Sequence, residues 1–367
     1  MLGKSEYRIM NGYADEEVEK ELGIRFIDAQ PDRLMRLRER LRVIADKLNR
    51  KFDDATCTPP AKGVLEEKLT VNQRKRLTAV LGPVYAKKYT AVLQEIAGIR
   101  IDECYEKMVP LLGELDEWGV SYTYSTVPFH EACGEWAGKQ RIMYVRKQVA
   151  SSAAAIFKAL NMIGFKPHIE DCWRPPEVQK GLLVRRIVDI ARENADYDWK
   201  TVYLHAASLT APASGFAGHQ AGSAIDWQIR RNTPREEFLD AGNKYAEGGA
   251  PSCLDFPYLT CSQFRTRMIF LMSAYWGAFK VLNTENWHMS AGDRGMVGGK
   301  VVSDTVHYGP ISEFDRVTGA VQPMANDEAD SYFFCDSEVE RIVNDAREKD
   351  ESGRFRREAA DMANPLH

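Results

Sequence analysis

Two short segments far apart in the chain constrain its fold more than any other feature. The first runs from His219 to Asp226 with the sequence His-Gln-Ala-Gly-Ser-Ala-Ile-Asp, and the second is Glu285-Asn-Trp-His288. Together they supply two imidazoles and a carboxylate, the ligand set of a catalytic zinc site that keeps its fourth position open. The two histidines are about 70 positions apart, which excludes a helical His-Glu-x-x-His site, so the fold must bring them together.

Each residue type in these segments suits metal-assisted hydrolysis. Imidazole and carboxylate are zinc ligands, zinc lowers the pKa of a bound water to about 7, and a nearby carboxylate can accept the proton. Glu285 is the candidate for that general base. Gly222 is small where the backbone turns, and residues 224–229 are predicted to form a strand that carries Asp226. A lone histidine is more often an ordinary surface or core residue, so the prediction depends on the combination.

These segments resemble the motifs of the zinc D-Ala-D-Ala peptidases, which share a fold with lysostaphin-type enzymes and the Hedgehog signalling domain. The family's motifs His-x-x-Gly-x-Ala-x-Asp and Glu-x-Trp-His stand here at positions 219–226 and 285–288. The resemblance covers roughly residues 140–310. It implies that His219, Asp226 and His288 bind one zinc ion and that Glu285 is the general base.

A third segment of the resemblance is Asp171-Cys-Trp-Arg-Pro175, which aligns Arg174 with the family's transition-state arginine. The role implied for Arg174 is stabilisation of the oxyanion on the attacked carbonyl. An ordinary salt bridge, for example with Asp171, is the alternative for this side chain. Trp173 stands where the family usually has tyrosine.

Within the family, the chain is most similar to D-Ala-D-Ala dipeptidases of the vancomycin-resistance type. Those enzymes hold the free amino group of the dipeptide with a carboxylate in a Leu-Asp-Met-Gly-like segment, which stands here as Leu239-Asp-Ala-Gly242, so Asp240 is the candidate anchor. The serine normally found two places before the first histidine is Ala217, and Ser214 is the candidate substitute for substrate binding. Asn286 replaces a frequent tryptophan.

The resemblance implies hydrolysis of a D,D-dipeptide such as D-Ala-D-Ala, a fragment of cell-wall peptidoglycan. The first alternative is a peptidoglycan D,D-carboxypeptidase or endolysin that acts on longer stem peptides. The second is a non-catalytic zinc-binding interaction protein of the same fold. The expected partner is therefore a small peptide.

Composition excludes several other classes of function. The 367 residues carry a formal net charge of -4, with 44% hydrophobic and 28% charged residues, which gives no general attraction to nucleic acid or anionic membranes. The longest apolar run, residues 268–279, is shorter than the roughly 20 residues of a spanning helix, so we expect no membrane segment. Seven cysteines without a Cys-x-x-Cys pair, and no apolar leader, predict reduced thiols and a cytoplasmic location.

The region before residue 120 is predicted to be mostly helical. Apolar residues at spacings of three and four indicate a helix of about 20 residues that begins at Pro31; they are Leu34, Leu37, Leu41, Ile44 and Leu48. Its arginine-rich faces suit a nucleic-acid or membrane surface, but without interleaved aromatic residues a solvated face is favoured. Residues 71–117 are predicted to be helical with breaks near Gly82-Pro83 and Gly98. A substrate-gating cap, a homo-oligomerisation surface and a partner-binding module remain open for this region.

Periodicity assigns the remaining elements. Helices are predicted over 141–162, 176–194 and from Cys261, the last opened by a capping box of Thr260 and Gln263, and strands over 166–173 and 280–283. The expected fold is α+β, a small antiparallel sheet with helices packed around a zinc site. We predict a helical N-terminal region (1–120), a metallopeptidase domain (121–320) and a charged helical tail (321–367).

Overall fold

The computed structural model describes residues 14–294, 296–297, 300–301 and 305–348. Within these residues the chain is a mixed α+β protein with small sheets, which confirms the predicted fold class at that level. The helices are α1 (Glu16–Glu21), α2 (Pro31–Lys47), α3 (Val71–Ala97), α4 (Leu111–Glu117), α5 (Lys147–Met162), α6 (Pro176–Glu193), α7 (Trp199–Ala207), α8 (Gly218–Ala221), α9 (Cys261–Trp276), α10 (Asn326–Asp330) and α11 (336–348).

Short strands form one larger sheet and several two-stranded pairs. They are β1 (Phe26–Ile27), β2 (Val64–Leu65), β3 (Arg100–Ile101), β4 (Met108–Pro110), β5 (Thr123–Tyr124), β6 (Tyr144–Arg146), β7 (Phe165–Asp171), β8 (Ala224–Arg231), β9 (Lys280–Val281), β10 (His288–Ser290), β11 (Met296–Val297), β12 (Lys300–Val301), β13 (Thr305–Val306), β14 (Ile311–Phe314) and β15 (Val321–Pro323).

The larger sheet has the strand order β5-β7-β8-β10-β9. Strands β7, β8, β10 and β9 run antiparallel to their neighbours, as predicted, whereas the edge strand β5 is parallel to β7. The register pairs Asp226 with Asp171 on one side and with His288 on the other. Residues directly opposite each other project from the same face of a sheet, so these three side chains lie side by side on one face.

The largest apolar core of the described residues lies between this sheet and helices α2, α4, α5 and α9. Trp227 of β8 is fully buried, with its ring 4.9 Å from Phe157 of α5 and 5.3 Å from Phe270 of α9. Helix α2 adds the predicted stripe, of which Leu34, Leu37, Leu41 and Ile44 are buried in the same core. The predicted N-terminal and metallopeptidase regions therefore share one core in this structure.

Helix α3 differs from its prediction. A break near Gly82-Pro83 was expected because proline removes a helical hydrogen bond, but the helix continues from Val71 to Ala97 and ends at Gly98 as predicted. Burial of residues around the proline, including Leu81 and Tyr85, outweighs the local cost. Gly82 allows α7 to approach, because a Cβ there would lie 3.1 Å from Cε1 of His205.

Other helix boundaries differ from the predicted ones because strand pairing competes with helix formation. The helix predicted from residue 141 begins at Lys147, since residues 144–146 form β6 and pair with β4. Residues 102–110 were predicted within a mostly helical stretch, but 102–107 form no regular secondary structure and 108–110 form β4. The predicted strand at 166–173 and helix at 176–194 are confirmed as β7 and α6.

The ends of the other predicted helices are set by local signals. Thr260 and Gln263 form the predicted capping box at the start of α9, and Gly277 ends the helix. Helix α11 confirms the predicted tail helix only from residue 336, because residues 321–323 pair with β14 as β15, and α11 packs Val339 and Val343 against α6 and α7. The part of the predicted tail after residue 348 lies outside the described residues. Among the residues described, none of the helices combines the length and apolarity needed to span a bilayer.

Candidate metal centre

His219 and Asp226 are held on either side of a tight turn. His219 lies in α8, and Gly222 ends this helix in the left-handed conformation with φ of 69°. A side chain at Gly222 would collide with Met108, so both the turn and the close packing favour glycine here, as predicted. The chain then enters β8, which carries Asp226 as its third residue.

His288 reaches the same place through a bend after β9. The backbone N–H of His288 lies 3.4 Å from the carbonyl oxygen of Glu285, and β10 begins at His288. The chain therefore bends between Glu285 and His288. The bend puts both side chains on one side, with Oε2 of Glu285 3.7 Å from Nδ1 of His288. Trp287 is buried within this bend.

Three side chains from α8, β8 and β10 meet in one buried cluster. Oδ1 of Asp226 lies 3.1 Å from Nε2 of His219 and 3.0 Å from Nδ1 of His288. The two rings are 4.9 Å apart at an angle of 71°. One ligand atom from each of the three residues lies within 4.8 Å of the others. The cluster can therefore hold a metal ion.

The hydrogen bonding of His219 makes its inner nitrogen available for a cation. Nδ1 lies 2.5 Å from the carbonyl oxygen of Cys172, and only a protonated nitrogen can donate to a carbonyl. In a neutral ring Nε2 then carries the lone pair that faces Oδ1 of Asp226. Two acceptors facing each other are stabilised by a cation between them. This arrangement, in which the outer N–H of a ligand histidine binds a carbonyl, is typical of metal sites.

Asp226 divides its two carboxylate oxygens between different partners. Oδ1 faces the imidazoles, and Oδ2 accepts hydrogen bonds from Nη2 of Arg174 and the hydroxyl of Tyr245, each at 3.0 Å. Burial alone raises the pKa of Asp226. The charge and hydrogen bond of a protonated His219, the hydrogen bond of His288 and the charge of Arg174 outweigh it and hold the pKa well below its usual value; beside a neutral His219, a bound cation would supply that positive charge instead. The buried carboxylate is therefore ionised and suited to a cation.

Arg174 follows β7 and is anchored on all sides. Its Nε donates to Asp171 at 2.8 Å and its Nη1 donates to Gln179 of α6 at 3.3 Å, besides the bond to Asp226. The salt bridge to Asp171 is thus present, and the same guanidinium also reaches the cluster. Asp171 and Asp226 raise the pKa of Arg174 despite the opposing effect of burial, so it remains a cation.

Glu285 lies at the edge of the cluster in a poorly solvated position. Its side chain is 14% exposed. Burial, and next the negative charge of Asp226, raise the pKa of Glu285 to about 7. A carboxyl group with such a pKa can both accept and release a proton near neutral pH.

The two residues predicted to bind substrate are engaged elsewhere. Oδ2 of Asp240 forms an ion pair with Nζ of Lys68 at 2.6 Å and accepts a bond from Gln263 at 3.2 Å. Ser214 is buried in a short 3-10 turn before α8, where its carbonyl accepts the N–H of Ala217. Neither side chain is hydrogen-bonded to the three cluster residues in the described structure.

Tyr245 and Arg141 belong to the site but were not identified from the sequence. The ring of Tyr245 packs edge-on against Trp287 at 5.6 Å while its hydroxyl binds Asp226. Arg141 reaches the hydroxyl of Tyr245 and the carboxylate of Asp171, each at 3.3 Å. An aromatic residue inside the polar, glycine-containing stretch after β8 was the one available signal for Tyr245.

Two comparisons with known proteins identify no relative. A scan against models of protein families matches none of them, and a search of curated proteins finds no significant match.

Proposed function

We propose that the chain is a zinc-dependent peptidase that hydrolyses a D,D-dipeptide such as D-Ala-D-Ala. The observation that supports this most is the meeting of His219, Asp226 and His288 in one buried cluster, with Glu285 beside His288 and Arg174 on Asp226. All five stand at motif positions, in the same order, of the zinc D-Ala-D-Ala peptidases that the sequence resembles.

The donor set suits zinc better than a hard cation. Two imidazole nitrogens and one carboxylate oxygen are the ligands of many catalytic zinc sites, whereas Mg²⁺ and Ca²⁺ prefer oxygen ligands alone. When bound, zinc would supply Lewis-acid chemistry, polarising a carbonyl group and making water nucleophilic near neutral pH. His219 is already oriented for this by the carbonyl of Cys172.

Glu285 is proposed as the general base and acid. Its pKa near 7 allows the carboxylate to accept a proton from the attacking water and to return it to the leaving amine. Because the bend before β10 fixes Glu285 beside His288, the base would lie next to the bond that is cleaved.

Arg174 is proposed to stabilise the oxyanion while it keeps Asp226 oriented. A guanidinium has five N–H donors, and the hydrogen bonds to Asp171, Gln179 and Asp226 engage three nitrogens with one bond each. Donors therefore remain for a developing negative charge, whose stabilisation is typically worth on the order of 10²- to 10³-fold in rate.

Release of free D-alanine from D-Ala-D-Ala by the zinc-loaded protein tests the proposal. We expect turnover that falls on the order of 10²- to 10⁴-fold in Glu285→Gln, because the general base is lost. Glu236→Gln serves as the control, since Glu236 forms ion pairs with Lys166 and Arg230 elsewhere on the sheet. No turnover at full zinc occupancy, or equal turnover in Glu285→Gln, would contradict the proposal.

The ion pair of Asp240 favours a second candidate function, a D,D-carboxypeptidase that acts on longer stem peptides. In a dipeptidase the carboxylate of Asp240 would hold the substrate ammonium, but the ammonium of Lys68 already occupies it. A site without a free amine anchor would accept peptides whose amino end is acylated. Comparing D-Ala-D-Ala with its N-acetyl derivative decides between the two, because a dipeptidase requires the free amine.

A further inference from the structure

A cavity of about 520 Å³ lies between α3, α6, the end of α7 and residues 247–253. Small-molecule sites usually have volumes of about 300–1,000 Å³. Thr284, which directly precedes Glu285, forms part of the wall. The cavity is thus connected through the backbone to the proposed general base.

Arg186 brings a positive charge to this cavity. It lies on α6 two helical turns after Gln179, the partner of Arg174, so the two side chains project from the same face of the helix. The side chain of Arg186 lines the cavity, and Nη2 donates to the carbonyl of Ala246 at 3.0 Å. Helix α6 therefore links the metal centre to the cavity.

The charge of Arg186 is only partly compensated. Among the described residues it forms no salt bridge within 4 Å. Burial lowers the pKa of Arg186, and Glu285 is the group that opposes this most. Arg186 also lowers the pKa of Glu285, so the two charges influence each other across this side of the site.

Among the described residues, the acidic groups of the cavity wall form no salt bridge with Arg186, although the charges of Asp189 and Glu193 act with that of Glu285 to raise its pKa, which burial lowers. Asp189 pairs with Arg185 at 3.6 Å, and Glu247 lies 4.0 Å from Nε of Arg74. Glu193 is exposed to solvent. A ligand with a negative charge would therefore find Arg186 as its natural counter-ion.

Other polar atoms of the wall are buried without a hydrogen bond in the described structure. Among them are Oγ1 of Thr284, a residue that is 4% exposed, and Nε2 of His205; the hydroxyl of Tyr85 and Nε of Arg74 belong to the same set. Buried polar groups are almost always hydrogen-bonded, so such atoms indicate a place for water or a polar ligand. Together with Arg186 they make one wall of the cavity a candidate polar subsite.

We propose that Arg186 binds the C-terminal carboxylate of the substrate, with Thr284 and His205 as further hydrogen-bonding groups of this subsite. The inference rests on the proposed peptidase function and specifies its substrates as peptides that end in a free carboxylate. A guanidinium can bind a carboxylate through two parallel hydrogen bonds. Seven helical residues from Gln179 to Arg186 span roughly 10 Å, and an extended dipeptide spans roughly 7 Å. A dipeptide bound at Arg186 is therefore long enough to cover most of the distance along α6 to Gln179, the partner of Arg174.

Calorimetric titration of the zinc-loaded full-length protein in a Glu285→Gln background tests this subsite. The probes are D-Ala-D-Ala and its C-terminal amide, which lacks the negative charge. We expect the acid to bind at least about 10-fold more tightly than the amide, since hydrogen bonds to charged groups are the stronger ones. Arg186→Met should weaken binding of the acid about 10- to 100-fold and leave the amide unchanged.

Two further variants distinguish recognition from a folding defect. Arg186→Lys keeps the charge without the bidentate geometry, so its affinity for the acid should lie between those of the unaltered protein and Arg186→Met. Lys180→Met removes an exposed cation of the same helix that does not line the cavity, and its affinity for the acid should equal that of the unaltered protein. Equal losses for acid and amide, or an unchanged affinity for the acid in Arg186→Met, would overturn the inference.

Turnover by the protein with Glu285 intact separates this inference from the proposed function. If the protein hydrolyses D-Ala-D-Ala but its preference for the acid over the amide does not depend on Arg186, only the proposed carboxylate subsite is overturned. A preference for the acid that depends on Arg186 without any hydrolysis overturns the peptidase proposal alone. If neither probe binds, both are overturned.

Discussion

Replacement of His219 by asparagine tests the metal centre with little disturbance of its surroundings. The amide N–H of asparagine can take the place of Nδ1 and still donate to the carbonyl of Cys172, a contact of 2.5 Å in the structure. What is lost is Nε2, the atom that faces Asp226 at 3.1 Å. The variant therefore removes one of three metal ligands and retains the hydrogen bond that orients the side chain.

The expected effect follows from the linkage between zinc binding and folding. Zinc at 1,000 times its dissociation constant stabilises the folded state by about 4 kcal/mol. The entropy of unfolding is about 2.1 cal/mol/K per residue, so for 367 residues it is roughly 0.8 kcal/mol/K. Zinc should then raise Tm by about 5 °C. If loss of a ligand weakens binding about 1,000-fold, the same zinc concentration contributes only about 0.4 kcal/mol, or less than about 1 °C.

Differential scanning fluorimetry of metal-free protein with and without zinc measures this difference. His307→Gln is the matched control, because His307 is an exposed histidine whose N–H bond to Gly292 comes from the backbone. The control should keep the full shift. A shift of about 5 °C in His219→Asn, or its absence in the unaltered protein, would refute the assignment of the cluster as a metal site.

Two further predictions concern the surroundings of the cluster. Tyr245→Phe removes the hydroxyl that binds Oδ2 of Asp226 at 3.0 Å, so zinc affinity measured by chelator competition should fall about 10- to 100-fold, and an unchanged affinity would show that the bond is dispensable. Burial, and next the charge of Arg230, lower the pKa of His168 from 6.5 in the unfolded chain to about 4 in the folded chain. Between these two pH values the unfolded chain binds a proton that the folded chain does not. The free energy of unfolding therefore falls as the pH falls through this range. Urea unfolding at pH 7 and pH 5 should show that the free energy of unfolding of His168→Gln decreases by about 1–2 kcal/mol less than that of the unaltered protein, a value reduced for solvent screening. Equal decreases in the two proteins would contradict this role of His168.

Features that depend on neighbouring residues could be predicted from the sequence. The capping box of Thr260 and Gln263 and the apolar stripe of α2 involve residues three to seven positions apart, and both are confirmed. The three cluster residues were predicted because the motif fixes which histidines and which carboxylate to choose. The sequence did not itself give the register that places His288 opposite Asp226.

Features that depend on distant contacts could not be predicted. Lys68 neutralises Asp240 from a loop far earlier in the chain, and no local pattern links the two. The path of α3 through Pro83 depends on burial against residues 250–259, which the local effect of proline does not reveal. Tyr245 has its role only because the loop after β8 folds back over Trp287.

Helix α2 has a consequence for the synthesis of the chain. Its buried leucines pack in one core with α9, which begins at Cys261, roughly 210 residues after α2 ends and therefore roughly 10–40 s later at typical rates of translation. During that interval the apolar stripe of α2 has no native cover from α9. The arginines on its other faces, among them Arg36 and Arg40, then keep the nascent segment hydrated while the ribosome completes its partner.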